Sequence, residues 1–185
     1  LETVKTGRHL CEFFQVDVEE ADASYLDAMS LAEKTLRRVV ERTLELHERD
    51  LASLGRKLAV PETPFKKLTH REAVEMLRSK GYDASYSEEL TWSNEEAISS
   101  MFDSPFFVYD YPKGSRGFYD REDPRRPGIL RDFDMIYPEG YGEAASGAER
   151  ENDCEIVTRK MRANGEDPEL YEWYTEMLKL GVPAS

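Results

Sequence analysis

The sequence predicts an α+β fold with a largely antiparallel sheet. Three observations carry this. Asp132–Tyr137 and Gly142–Gly147 are β-type runs separated by Pro138-Glu139-Gly140-Tyr141, which reads as a hairpin with a four-residue turn. Apolar residues recur at three- and four-residue steps over long stretches, first from Ala23 to about Leu54. Strands and helices also lack the regular alternation that marks a parallel sheet.

Taken in order, Arg8–Glu19 reads as a strand with Phe13, Gln15, Asp17 and Glu19 on one face and Leu10, Phe14, Val16 and Val18 on the other. One aromatic ring with three polar groups is a poor core; such a face is either a ligand platform or a sheet surface open to water. Ala23–Leu54 is one long amphipathic helix, or two with a break, and Ser24 with Asp27 caps its start. His47 falls in its charged half as a solvated residue. Pro61–Lys67 is a connector; Thr69 with Glu72 opens a second helix that Gly81 closes, with His70 as a structural first-turn residue. Ser93 with Glu96 signs a short helix ending near Phe102, and Pro105–Pro112 is a mostly buried strand bounded by prolines. Lys113–Arg131 is irregular and charged, around Phe118-Tyr119-Asp120-Arg121-Glu122-Asp123, and is either a mobile lid or simple surface. After the hairpin, Ala148–Asn164 reads as a helix closed by Gly165, and Pro168 opens a last helix, Glu169–Leu180, closed by Gly181.

At 185 residues the chain reads as a single domain, 1–185, large enough for a sizeable core. No apolar run reaches membrane-spanning length and no signal peptide is visible. Only Cys11 and Cys154 are present, which fits a reducing, cytoplasmic setting. A net charge of -13 argues against a nucleic-acid footprint on this segment by itself.

The richest stretch chemically is Gly140–Glu151. Glu143 begins a run of small residues and Arg150 follows seven positions later. The layout suits a ligand that bridges a metal near Glu143 and an anion at Arg150; the alternative is a glycine-containing strand ending in a surface ion pair. With a four-residue turn, Ile136 faces Glu143 and Asp134 is its diagonal neighbour, within about 7–8 Å. Two unpaired acids at that range repel, so a cation between them is a reasonable expectation, and Mg²⁺ on a nucleotide needs only one or two carboxylates plus phosphates.

Arg8-His9-Leu10-Cys11-Glu12-Phe13 with Gln15-Val16-Asp17-Val18-Glu19 resembles the second half of motif 2 of class II aspartyl- and asparaginyl-tRNA synthetases. Pro105–Asp120 resembles their segment ending in a Phe-Tyr pair, and Gly142-Glu143 through Ser146-Gly147 to Arg150-Glu151 resembles their amino-acid-binding strand. Asp134 resembles the acid on the metal side, and Glu169–Pro183 the segment before motif 3. Gly7-Arg8-His9 and Phe118–Glu122 are most similar to the archaeal asparagine-synthetase-like relatives, which lack an anticodon-binding domain.

The resemblance implies a class II synthetase-like antiparallel sheet flanked by helices, here the portion from the second half of motif 2 to just before motif 3. Motif 1, which builds a homodimer interface, and the motif 2 arginine are expected upstream of Leu1; the motif 3 glycines and arginine are expected after Ser185. The piece by itself is then expected to be inactive. The implied cofactors are ATP and Mg²⁺. Phe13 would stack on adenine, His9 would reach the phosphates, and Asp134 and Glu143 would hold Mg²⁺. Gln15 and Asp17 would receive the substrate ammonium and Arg150 its side-chain carboxylate, so His9, Glu143 and Arg150 form the catalytic set. The implied reaction is activation of aspartate (or asparagine) as an acyl-adenylate, with tRNA or ammonia as acceptor. Asp17 points to aspartate, and the acidic balance points to ammonia. The rival reading is a non-catalytic paralogue that keeps the pocket as a binding or regulatory module.

Overall fold

In a computed structural model, residues 12–183 are described. His9 and Cys11, and with them the phosphate-binding role expected of His9, lie outside these residues. Among the described residues, four strands form one sheet in the order β1 (Lys66–Thr69), β2 (Phe106–Tyr109), β3 (Asp132–Tyr137) and β4 (Gly142–Ala148). β1 and β2 are parallel; β2–β3 and β3–β4 are antiparallel, so the sheet is mixed and largely antiparallel as the sequence predicts. The crossover between the parallel pair carries α2 (His70–Ser79) and α3 (Trp92–Ser99).

One face of the sheet is covered by α1 (Tyr25–Ser53), whose buried Tyr25 and Met29 meet Phe65, Phe107, Phe133 and Met135. The other face buries Phe106, Val108 and Ile136 against Val74, Leu77 and Ile98 of α2 and α3. Alternation along β2 and β3 thus sends neighbours to opposite cores, each buried side chain contributing about 1.5–3 kcal/mol. A third cluster joins Phe118 to Val157 and Met161 of α4 (Cys154–Ala163) and Leu178 of α5 (Glu172–Lys179).

The capping boxes of α1 and α2 form as read: Ser24 with Asp27 and Thr69 with Glu72. α1 is a single element that departs from helical geometry at His47, which is exposed. Four expectations need correction. Lys66 and Lys67, read as the end of a connector, open a strand, Lys66–Thr69, because this segment pairs in parallel with Phe106–Tyr109. Thr91, not Ser93, caps α3: its extended backbone lets its hydroxyl accept from the Asn94 amide. The fourth helix begins at Cys154, behind an Asp153 cap, because β4 stays paired with β3 through Ala148.

The fourth correction concerns residues 12–20, which are exposed and have no regular secondary structure. Phe13 is 65% exposed and Phe14 99%. A strand needs a partner for its backbone N–H and C=O groups, and none of the described strands pairs with this segment. Side-chain alternation gave it a strand's pattern without a ladder.

The hairpin forms in the expected register, with Ile136 opposite Glu143 and Tyr137 opposite Gly142. Glu139 and Gly140 both take positive φ at the tip, the geometry that matches strand twist. Arg56 holds Glu139 there with two hydrogen bonds of 2.8 and 2.9 Å. Ser99 secures the base of the turn by accepting from the Gly140 and Gly142 amides. Between Met135 and Ile136 the register shifts, leaving Ala144 as the extra residue of a bulge.

Candidate active site

The bulge decides what the hairpin displays. Asp134 lies opposite Ser146 and Ile136 opposite Glu143, so Glu143 and Ser146, three apart in sequence, share the face of Asp132 and Asp134. Beyond the part covered by α2 and α3, this face carries a charged cluster. At its centre is Arg116, from the loop after β2. Its guanidinium pairs with Asp134, lies 3.0 Å from Glu89 and 3.7 Å from Asp132, and stacks 3.9 Å from the Tyr111 ring centroid. The Tyr111 hydroxyl donates to Asp134 at 2.6 Å, and the Tyr111 amide donates to Asp132 at 2.9 Å.

The cation expected beside Asp134 is therefore supplied in part by the protein. Asp132 and Asp134 are both almost fully buried on a strand face, and Arg116 is the charge that makes this tolerable. Burial pushes the Asp132 carboxyl up to about 7, while the Tyr111 amide and Arg116 oppose the shift. The sequence reading missed Arg116. Its signal was the Asp-Phe-Asp repeat itself, since two acids on one buried face require a cation from elsewhere in the fold.

Glu143 stands apart from this pairing. Its carboxyl is pushed up to about 7, by burial first and then by Asp134 and Glu95. The residue is exposed by surface area, so water weakens the first cause and the upward direction rests chiefly on the two acids. Asp134 Oδ1 is buried without a hydrogen-bond partner among the described residues. An acid raised by like charges and an unused buried carboxylate oxygen are chemically suited to a divalent cation. Among the described residues there is no group of three or more His, Cys, Asp or Glu that could hold a metal ion.

Arg150, just beyond β4, lies next to Asp120. Its Nη1 donates to Asp120 Oδ1 at 3.1 Å, and its guanidinium lies 4.6 Å from the Tyr119 ring centroid. A Cβ at Gly117 would fall 2.6 Å from the Tyr119 ring, so any other residue there would push the ring from its present place. A backbone bridge joins Asp120 to Arg150, and Lys160 of α4 donates to the Asp120 carbonyl at 2.6 Å. The 112–131 loop is held by further bridges, Pro112 to Ile129 and Glu122 to Leu130, and by Arg126 paired with Asp110 and Asp123. These contacts fasten the segment read from the sequence as either a mobile lid or simple surface to its neighbours. Of the expected ammonium and adenine groups, Phe13, Gln15 and Asp17 are exposed; it is Glu19 that comes within 3.8 Å of Arg150.

His70 is buried behind Tyr111, with ring centroids 4.8 Å apart, and its Nε2 has no hydrogen-bond partner among the described residues. Burial lowers its pKa from 6.5 to about 4. The unfolded chain then takes up a proton between these values that the folded chain refuses, so stability from neutral His70 is complete above about pH 6.5. It is lost as pH falls towards 4. Acid unfolding of wild type and His70→Gln should diverge over that window by about 2–3 kcal/mol. Comparing the two removes the opposing contribution of Asp132, and parallel curves would refute the assignment.

A largely antiparallel mixed sheet with helices on both faces and one acid- and arginine-bearing surface is the architecture of a class II tRNA synthetase domain, as the structural match below shows. The chain belongs to the class II tRNA synthetases (D, K and N), whose family model matches residues 1–185. It is 38% identical over 188 residues to the asparagine–tRNA ligase of Pyrococcus furiosus and 37% identical to that of Desulforamulus reducens. These matches cover 100% of this chain but only 43% and 44% of the relatives. The structure matches asparaginyl-tRNA synthetase from Pyrococcus horikoshii complexed with asparaginyl-adenylate, with a TM-score of 0.89 and 34% identity. That match spans 99% of this chain and 43% of the other. Among the described residues no helix is long and apolar enough to cross a membrane.

Proposed function

We propose that this chain is the central part of a catalytic domain that activates asparagine with ATP. The observation that carries this is the placement of Glu143 and Asp134 on one face of the hairpin, with Arg150, held by Asp120 and Tyr119, just beyond the end of β4. In the reaction, an oxygen of the substrate α-carboxylate attacks the α-phosphorus of ATP. The bond to the bridging oxygen breaks and pyrophosphate leaves with the electron pair, giving the acyl-adenylate. Arg150 grips the side chain of the amino acid and fixes where its carboxylate points. Glu143 and Asp134 Oδ1 would hold Mg²⁺, which when bound neutralises charge on the phosphates. Arg116 and Tyr111 hold the Asp134 carboxylate in place on the sheet.

Two observations favour asparagine over the aspartate inferred from Asp17. Arg150 already has an acid beside it, and the relatives at 37–38% identity are asparagine–tRNA ligases. Those relatives also make tRNA the acceptor of first choice, reached through parts of the parent protein beyond this segment. The balance of 38 acidic to 25 basic side chains favours ammonia as the second reading. The test is ATP–pyrophosphate exchange by the full-length protein with each amino acid, followed by transfer assays with tRNA or ammonium. Exchange that depends on asparagine supports the proposal. Exchange with aspartate alone, or none with either, overturns it.

A further inference from the structure

The surroundings of Arg150 contain more negative charge than its own guanidinium needs. Asp120 is 5% exposed and lies in contact with it, and Glu19 Oε1 approaches Nη2 at 3.8 Å. The other charges nearby offset each other: Lys160 lies 3.7 Å from Glu151, and Arg116 is committed to Asp134 and Glu89. Asp120 is also not free to turn away. Its backbone is bridged to Arg150, its carbonyl accepts from Lys160, and the ring of Tyr119 beside it supports the guanidinium.

We propose that Asp120 makes the Arg150 subsite select a neutral carboxamide over a carboxylate; this specificity role rests on the asparagine reading above. A carboxamide oxygen accepts from Arg150 as a carboxylate oxygen does, and its NH₂ group donates to an acid. A carboxylate has no proton to donate and meets Asp120 as a like charge. An acid at contact range alters the energetics of a second carboxylate by about one to three pKa units, a factor of about ten to a thousand in affinity. A bare arginine would show the opposite preference, since its fork matches a carboxylate with two charged hydrogen bonds. Asp120 is thus a positioning residue as well: it fixes the plane of the guanidinium and leaves the remaining N–H groups for the ligand.

The experiment compares kcat/KM for asparagine and aspartate in ATP–pyrophosphate exchange, using full-length wild type, Asp120→Asn and Asp120→Glu. Asp120→Asn keeps an oxygen acceptor for Arg150 and removes the charge. Its asparagine-to-aspartate ratio is expected to fall at least about tenfold, mostly through gain with aspartate, while Asp120→Glu keeps the wild-type preference. If Asp120→Asn does not fold, Asp120→Ser gives the same ratio with water in the vacated space. Both substrates falling together, with the ratio unchanged, would make Asp120 only a structural partner and overturn the inference. A wild type that prefers aspartate would overturn the functional reading, and this inference with it. That result is distinguishable because it needs no variant.

Discussion

Arg116→Met should lower the stability of the protein by about 3 kcal/mol, the lower part of the range for removing one partner from a buried ion pair. The side chain is only 15% exposed and faces Asp134 at 4% and Asp132 at 3%. Methionine fills much of the space over the Tyr111 ring, so the loss measures charge more than volume. Both acids would be left buried without a cation, and the hydrogen bond from Tyr111 cannot replace one. For a domain of this size the change corresponds to a drop in melting temperature of about 6–12 °C. Adding Asp134→Asn to Arg116→Met should recover more than half of the loss, since it removes the charge left stranded. A single variant that melts with the wild type would mean that water already neutralises Asp132 and Asp134. A double variant less stable than the single would give Asp134 a role unrelated to Arg116.

Glu143→Gln should act in the opposite sense on stability and strongly on activity. Glutamine keeps the shape and an oxygen but cannot carry the charge that a Mg²⁺–nucleotide requires. Asparagine-dependent exchange by the full-length protein is expected to fall about 100- to 1,000-fold, the usual loss when one charge-stabilising group is removed. The melting temperature should stay the same or rise slightly. Glu143 has its carboxyl raised above the ordinary range, so its ionised form costs stability at neutral pH, and the neutral amide relieves repulsion from Asp134 and Glu95. Unaltered exchange would remove Glu143 from the site. A clearly lower melting temperature would show that its contacts support the hairpin instead.

Much of this architecture was written in local sequence. The capping boxes at Ser24 and Thr69, the proline boundaries of the second strand and the hairpin turn at Glu139-Gly140 were all legible, because each rests on interactions within about four residues. The pairing of Ile136 with Glu143 followed from turn length alone. Residues 12–20 were misjudged for the complementary reason. Alternation is a property of the segment, whereas a strand is a property of two segments, and the second is not among those described. The short strand Lys66–Thr69 was missed on the same grounds, since only its parallel neighbour makes it one.

In the sequence itself, motif resemblance carried the family, and local patterning carried most helices and the hairpin that bears Asp134 and Glu143, because strand period, turn chemistry and residue spacing are local quantities. Only the tertiary structure decided how those groups are paired and oriented. The bulge at Ala144 places Glu143 and Ser146 on one face, Arg116 arrives from a loop to neutralise the buried aspartates, and Asp120 is bridged to Arg150 from thirty residues away. Coulomb interactions and desolvation depend on distance through space and on burial, and neither is fixed by separation along the chain.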